Sequence, residues 1–158
     1  MFDQAQFDLA LSFALESRAA ARNQAFALKA EQEGRAQDAL FFRAAAQAQS
    51  VAARRLMLLL RGKIGGTDEN LVDAFERELP QRIKNYEEYI GRSEGPAASA
   101  FKQALDISQR QDELYQRLKQ GQADAYKVCT ICGCLVTGEY KERCPVCGAL
   151  PEKFEPVK

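Results

Sequence analysis

Four of the five cysteines in this chain stand as two Cys-x-x-Cys pairs, Cys129 with Cys132 and Cys144 with Cys147, separated by an eleven-residue spacer. A glycine follows each pair, Gly133 and Gly148. Two residues between cysteines let the chain fold back so that both sulfurs point at one centre. A glycine after the second sulfur can take positive φ, which turns backbone N–H groups toward the thiolates. Two such knuckles facing one another form a tetrahedral S₄ cage, so the expectation is one metal ion held by Cys129, Cys132, Cys144 and Cys147. Disulfides are the competing use, and clustered sulfurs at knuckle spacing favour metal in a reducing compartment. The fifth cysteine, Cys134, lies on the wrong side of Gly133 for the knuckle and reads as a spectator. Spacing leaves the ion open, because S₄ tetrahedra suit zinc and iron alike.

The chain contains no histidine. That excludes imidazole as ligand, base or shuttle, and with it the usual triads and the His-rich zinc hydrolases. Lysine plus arginine balances aspartate plus glutamate at 22 each, so no overall field draws in nucleic acid or an anionic membrane. The apolar run around Leu56–Leu60 is short and flanked by arginines, and no stretch is long enough to span a bilayer. The first residues read as an amphipathic helix without a basic leader, and the expected location is the cytoplasm.

These cysteines need positioning, and the preceding sequence is built of a different material. Residues 1–121 are rich in Ala, Leu, Gln, Glu, Lys and Arg, the strong helix formers. Breakers at Glu33-Gly34, Gly62 through Gly66, Glu94-Gly95-Pro96 and Gly121 divide them into four helices, with Thr67 as an N-cap and Pro96 in a first turn. Pro80 falls inside the third helix and should kink or interrupt it. Short connections within each half imply antiparallel neighbours.

The two halves repeat. Glu16, Glu33-Gly34, Phe42 and Gln49 in the first answer to Glu78, Glu94-Gly95, Phe101 and Ser108 in the second, with seven residues from Phe to the polar position each time. The expected architecture is a mainly α, pseudo-symmetric antiparallel four-helix bundle over 1–121. A linker at 122–126 then leads to a small knuckle domain with short β-strands at 127–158, too small to build a core without its metal. Glu16, Gln49, Glu78 and Ser108 interrupt apolar stripes, so a hydrogen-bonded layer across the bundle is expected. Close helix packing is expected of the alanine faces Ala44–Ala46 and Ala52–Ala53, and core or rim packing of Tyr86, Tyr89 and Tyr115.

The C-terminal stretch YKVCTICGCLVTGEYKERCPVCGALPEKFEPV resembles the rubredoxin-type domain that ends rubrerythrins. Shared features are the aromatic at Tyr126, both knuckles, Gly138 in the spacer and Phe154. The helical half resembles the ferritin-like domain of the same family through LESRAA at 15–20, AEQEG at 30–34, LFFRAAAQAQ at 40–49, NLVDAFERE at 70–78 and AFKQALDISQRQDELY at 100–115. The resemblance implies a single iron at the cysteines that carries one electron, and a diiron site in the bundle built from glutamates and E-x-x-H pairs. It also implies a homodimer, in which the rubredoxin domain of one subunit meets the bundle of the other.

The diiron positions depart from that pattern. Glu16 and Glu78 match the leading glutamates, but the E-x-x-H positions read Gln49-Ser50-Val51-Ala52 and Ser108-Gln109-Arg110-Gln111, and the extra carboxylate falls at Gln81. Two carboxylates without imidazole do not clamp a pair of irons, so peroxidase chemistry of the family type is not expected. The functional expectation is one-electron transfer or redox sensing through an Fe(Cys)₄ centre, with an unidentified redox partner protein. Two rivals are a zinc-filled structural or interaction module without redox activity, and a single metal held by Glu16 and Glu78.

Overall fold

The computed structural model describes residues 3–122 and 125–158, so positions 123 and 124 of the expected linker lie outside the described residues. The chain forms two compact units, Met1–Gly66 and Thr67–Lys158, the second carrying the later helices and the cysteine region. Four helical runs are followed by a small antiparallel sheet, so the class is mainly α.

The first unit is a helical hairpin of α1 (Gln4–Gln32) and α2 (Ala36–Leu59). Asp3 caps α1 through the Gln6 amide, and the turn between the helices closes with the Arg35 amide on the Ala30 carbonyl at 2.8 Å. Small side chains fill the seam: Ala20, Ala27 and Ala30 from α1 meet Ala39, Ala46 and Ala53 from α2 as its buried residues. Spacings of seven bring the alanines of α2 back to one face, and the absence of bulk lets the backbones approach closely. Asn23 donates to Gln49 Oε1 across the seam at 2.8 Å, and the Phe26 and Phe42 rings meet edge to face at 5.5 Å.

The second unit opens with α3 (Thr67–Leu71), and Thr67 is the first helical residue there. Winding continues without a break through a π-helical stretch, Val72–Glu78, into α4 (Leu79–Gly91). The expected disturbance at Pro80 takes this form. Pro80 has no amide to offer the carbonyl four residues back, and just ahead of it the Leu79 amide reaches Ala74, five residues back.

Helix α5 (Gly95–Lys119) starts with Pro96 in its first turn and packs antiparallel to α4, with Tyr86 and Tyr89 against Phe101. Tyr115 is buried, stacks on Phe75 at 4.9 Å and donates to Glu76 at 2.8 Å. Among the described residues, no helix is long and apolar enough to cross a membrane.

Three short strands follow: β1 (Tyr126–Cys129), β2 (Leu135–Thr137) and β3 (Phe154–Pro156). They pair antiparallel in the order β2-β1-β3, with Val128 opposite Leu135 and Cys129 opposite Phe154. Cys129, Cys134, Val136, Cys144 and Phe154 form the buried core of this region. Tyr140 leans on Phe154 at 5.0 Å.

Candidate metal centre

Each knuckle is a tight backbone loop, and the two loops are built alike. The Gly133 amide donates to the Cys129 carbonyl at 2.8 Å, as the Gly148 amide does to Cys144 at 2.8 Å. The first amide of each loop is also paired: Cys129 N–H with the Cys134 carbonyl at 2.9 Å, and Cys144 N–H with the Ala149 carbonyl at 2.8 Å. Gly133 and Gly148 take φ of 83° and 72°, the left-handed region that side chains resist, and this lets each loop reverse within two residues of its second cysteine.

The reversal aims amides at sulfur. Cys132 receives the Cys134 amide, Cys147 the Ala149 amide, and Cys144 those of Val146 and Cys147.

The four ligand sulfurs all lie within 4.8 Å of one another. Two close pairs cross between the knuckles, Cys129 to Cys147 at 3.7 Å and Cys132 to Cys144 at 3.6 Å. A tetrahedron with metal–sulfur bonds of ~2.3 Å has edges of ~3.8 Å, whereas a disulfide requires about 2.05 Å. All five cysteines are free, and the spacing is that of ligands around one ion. A four-cysteine metal-binding site is therefore present in the second unit. It is the one group of three or more Cys, Asp or Glu among the described residues that is arranged to hold a metal.

Without an ion the thiols share protons unevenly. Burial pushes Cys132 far above the ordinary thiol range, and carries Cys134 to about 12. Burial also raises Cys144, but the amides of Cys147 and Val146 together with the Cys132 and Cys147 thiols outweigh it and hold this thiol at about 7. For Cys147 the Ala149 amide pulls downward, and burial with the neighbouring thiols still leaves it raised. Cys144 is thus the readiest thiolate, and a metal must displace protons from Cys132 and Cys147.

Helix α5 abuts this centre. Ile107 packs against the cysteine core, and Arg110 Nε donates to the Leu135 carbonyl on β2 at 3.2 Å. A cavity of about 430 Å³ lies beside this seam, lined in part by Phe75, Leu114, Tyr115, Tyr126 and Leu135.

Two of the four polar positions are satisfied within their own units. Gln49 is bonded to Asn23, and buried Ser108 donates to the Ala104 carbonyl of its own helix at 2.8 Å. Glu16 is half-buried on α1, and Glu78 is exposed at the end of the π-helical stretch. The diiron group implied by the sequence resemblance does not fit the residues at those positions, which offer two carboxylates and no histidine. Arg82 bonds Gln111 at 3.3 Å. Arg110 was not foreseen as a neighbour of the metal centre, because its acceptor is a backbone carbonyl and no residue spacing encodes one.

Fold and site together define a mainly helical protein with a C-terminal tetrathiolate metal domain. No family model and no curated protein matches the chain. Among solved structures it is similar to nigerythrin. The mixed-valence state shows 22% identity and a TM-score of 0.45, over 99% of this chain and 88% of that one. The fully reduced, all-ferrous state shows 23% identity and a TM-score of 0.44 over the same shares of the two chains.

Proposed function

We propose that the protein binds one iron ion at Cys129, Cys132, Cys144 and Cys147 and serves as a one-electron carrier or redox sensor. The observation that carries this reading is the closure of four sulfurs to tetrahedral spacing. The motif resemblance to rubrerythrins, both knuckles with Tyr126, Gly138 and Phe154, favours iron over zinc. Iron in such a cage supplies one-electron chemistry between its ferric and ferrous states. The chain's own part is to keep the sulfurs fixed, direct amides at them and shield them from water. Cys129 and Cys144 are almost fully buried, and the backbone loops need not rearrange when the charge changes. An electron enters from a one-electron donor protein and leaves to an acceptor, with no bond made or broken in the chain.

In this reading the helical part carries out no diiron peroxide reduction. The alternative is a zinc-filled module that only organises residues 127–158. Metal analysis with a visible spectrum, on protein purified anaerobically from its natural host, separates the two. One iron per chain with a red ferric form that bleaches on reduction supports the carrier. A colourless protein with one zinc overturns it, and more than one metal per chain revives a site at Glu16 and Glu78.

The proposal includes a cytoplasmic homodimer. The buried residues of the first hairpin are all alanines, while Phe41 is 73% and Leu58 61% exposed. In this reading a second copy of the chain covers apolar side chains of this kind. Sedimentation equilibrium at micromolar concentration should give twice the chain mass, and a monomer at all concentrations would refute this.

A further inference from the structure

We propose that Arg110 is a positioning residue for the tetrathiolate centre, fixing the first knuckle to α5 and placing a positive charge beside the thiolates that raises the reduction potential of the bound iron. This rests on the iron reading above.

The connection is continuous. Strand β2 lies at the edge of the sheet, and there the Leu135 carbonyl accepts Arg110 Nε at 3.2 Å. The same carbonyl faces the Cys134 thiol at 3.7 Å, and the Cys134 carbonyl in turn accepts the Cys129 amide at 2.9 Å. Three short links thus run from a helix of the second hairpin to the backbone of a ligand. Ile107, one turn earlier on α5, packs against the same core and holds the helix in place.

The guanidinium is permanently charged. Its side chain is 37% exposed, and its carboxylate partner Glu113 is 3.5 Å away and 66% exposed, so solvent screens the acid more than the arginine.

A tetrathiolate with ferric iron carries one negative charge, and with ferrous iron two. A fixed cation therefore favours the reduced form. A unit charge ~12 Å from a redox centre, at an effective dielectric of ~20, changes the equilibrium about tenfold. For one electron that is 59 mV.

The test is a reductive titration of the full-length iron-loaded protein at low salt, with dithionite and mediator dyes, following the ferric absorption. R110Q should hold about tenfold less ferrous iron than wild type at a fixed potential, and R110K should stay within about twofold of wild type. Amide exchange over residues 135–137 of the zinc-loaded chain gives a second readout, free of redox chemistry: faster in R110Q and restored in R110K. An R110Q potential equal to wild type, or an R110K potential as low as that of R110Q, overturns the proposal. A wild-type protein that takes up no iron and shows no ferric band refutes the iron reading itself, a result distinct from either.

Discussion

Cys134 and Ala149 occupy the same place in the two knuckles: each gives its carbonyl to the first amide of its loop and its own amide to the second sulfur. The position asks for a small residue with a free backbone, and its side chain is directed into the core instead of at the metal. Cys134→Ala should therefore bind one metal per chain with an unchanged spectrum. The lost packing should cost about 1 kcal/mol in urea denaturation. Loss of the metal would show that Cys134 is a ligand.

The opposite outcome belongs to Cys144. Cys144→Ser should abolish stoichiometric metal binding, because three sulfurs leave the tetrahedron open. Structural metal sites contribute apparent free energies of ~10–16 kcal/mol, so the sheet should unravel with the ion. Far-UV circular dichroism should keep most of its helical signal, and chelation of the wild-type protein should reproduce the same state.

Glu76 accepts from Tyr115 at 2.8 Å and from Lys119 at 2.9 Å. The Lys119 ammonium and the Tyr115 hydroxyl hold its carboxyl below the usual carboxylate range. A lowered folded value means the stabilisation is complete above the ordinary value of about 4.3 and is lost as pH falls through the folded value. Bonding to Glu76 raises both Tyr115 and Lys119, so their share is present below about pH 10 and lost above it. Glu76→Gln should lower the melting temperature between about pH 5 and pH 10 and approach the wild-type curve at both extremes. Parallel curves for the two proteins would refute the linkage.

The alanine seam of the first hairpin has no room. Ala46 is 1% exposed, and Ala46→Leu should cost about 1–3 kcal/mol by forcing the helices apart. Ala44→Leu, two residues away on the exposed side of the same helix, should stay within about 0.5 kcal/mol. Chemical denaturation of both variants decides the matter, and equal costs would contradict the packing.

How much of this the sequence disclosed depends on the kind of signal. The cysteine ligands were legible because the spacing of a knuckle is itself its geometry: Gly133 and Gly148 stand where the reversal requires them. Helix limits at Glu33-Gly34 and Gly121 were legible for the same local reason. A polar layer joining Glu16, Gln49, Glu78 and Ser108 was read from their stripes, and two of these positions take other partners. Asn23 satisfies Gln49, and the helix backbone satisfies Ser108.

Pro80 announced a disturbance but not its form, since a π turn is one of several ways to re-pair a backbone that lacks an amide. Arg110 gave no signal, because a helix touching a strand 25 residues later is a product of tertiary packing.

The close approach of sulfurs from one knuckle to the other has a topological consequence. Cys129 answers to Cys147, and Cys132 to Cys144, so a bound ion clasps two distant loops to each other as well as gathering each loop on itself. Because Cys129 also lies opposite Phe154 in the sheet, releasing the clasp frees the strand that holds the chain's far end. The domain should open all at once, like an unbuckled ring, with no partly closed form on the way.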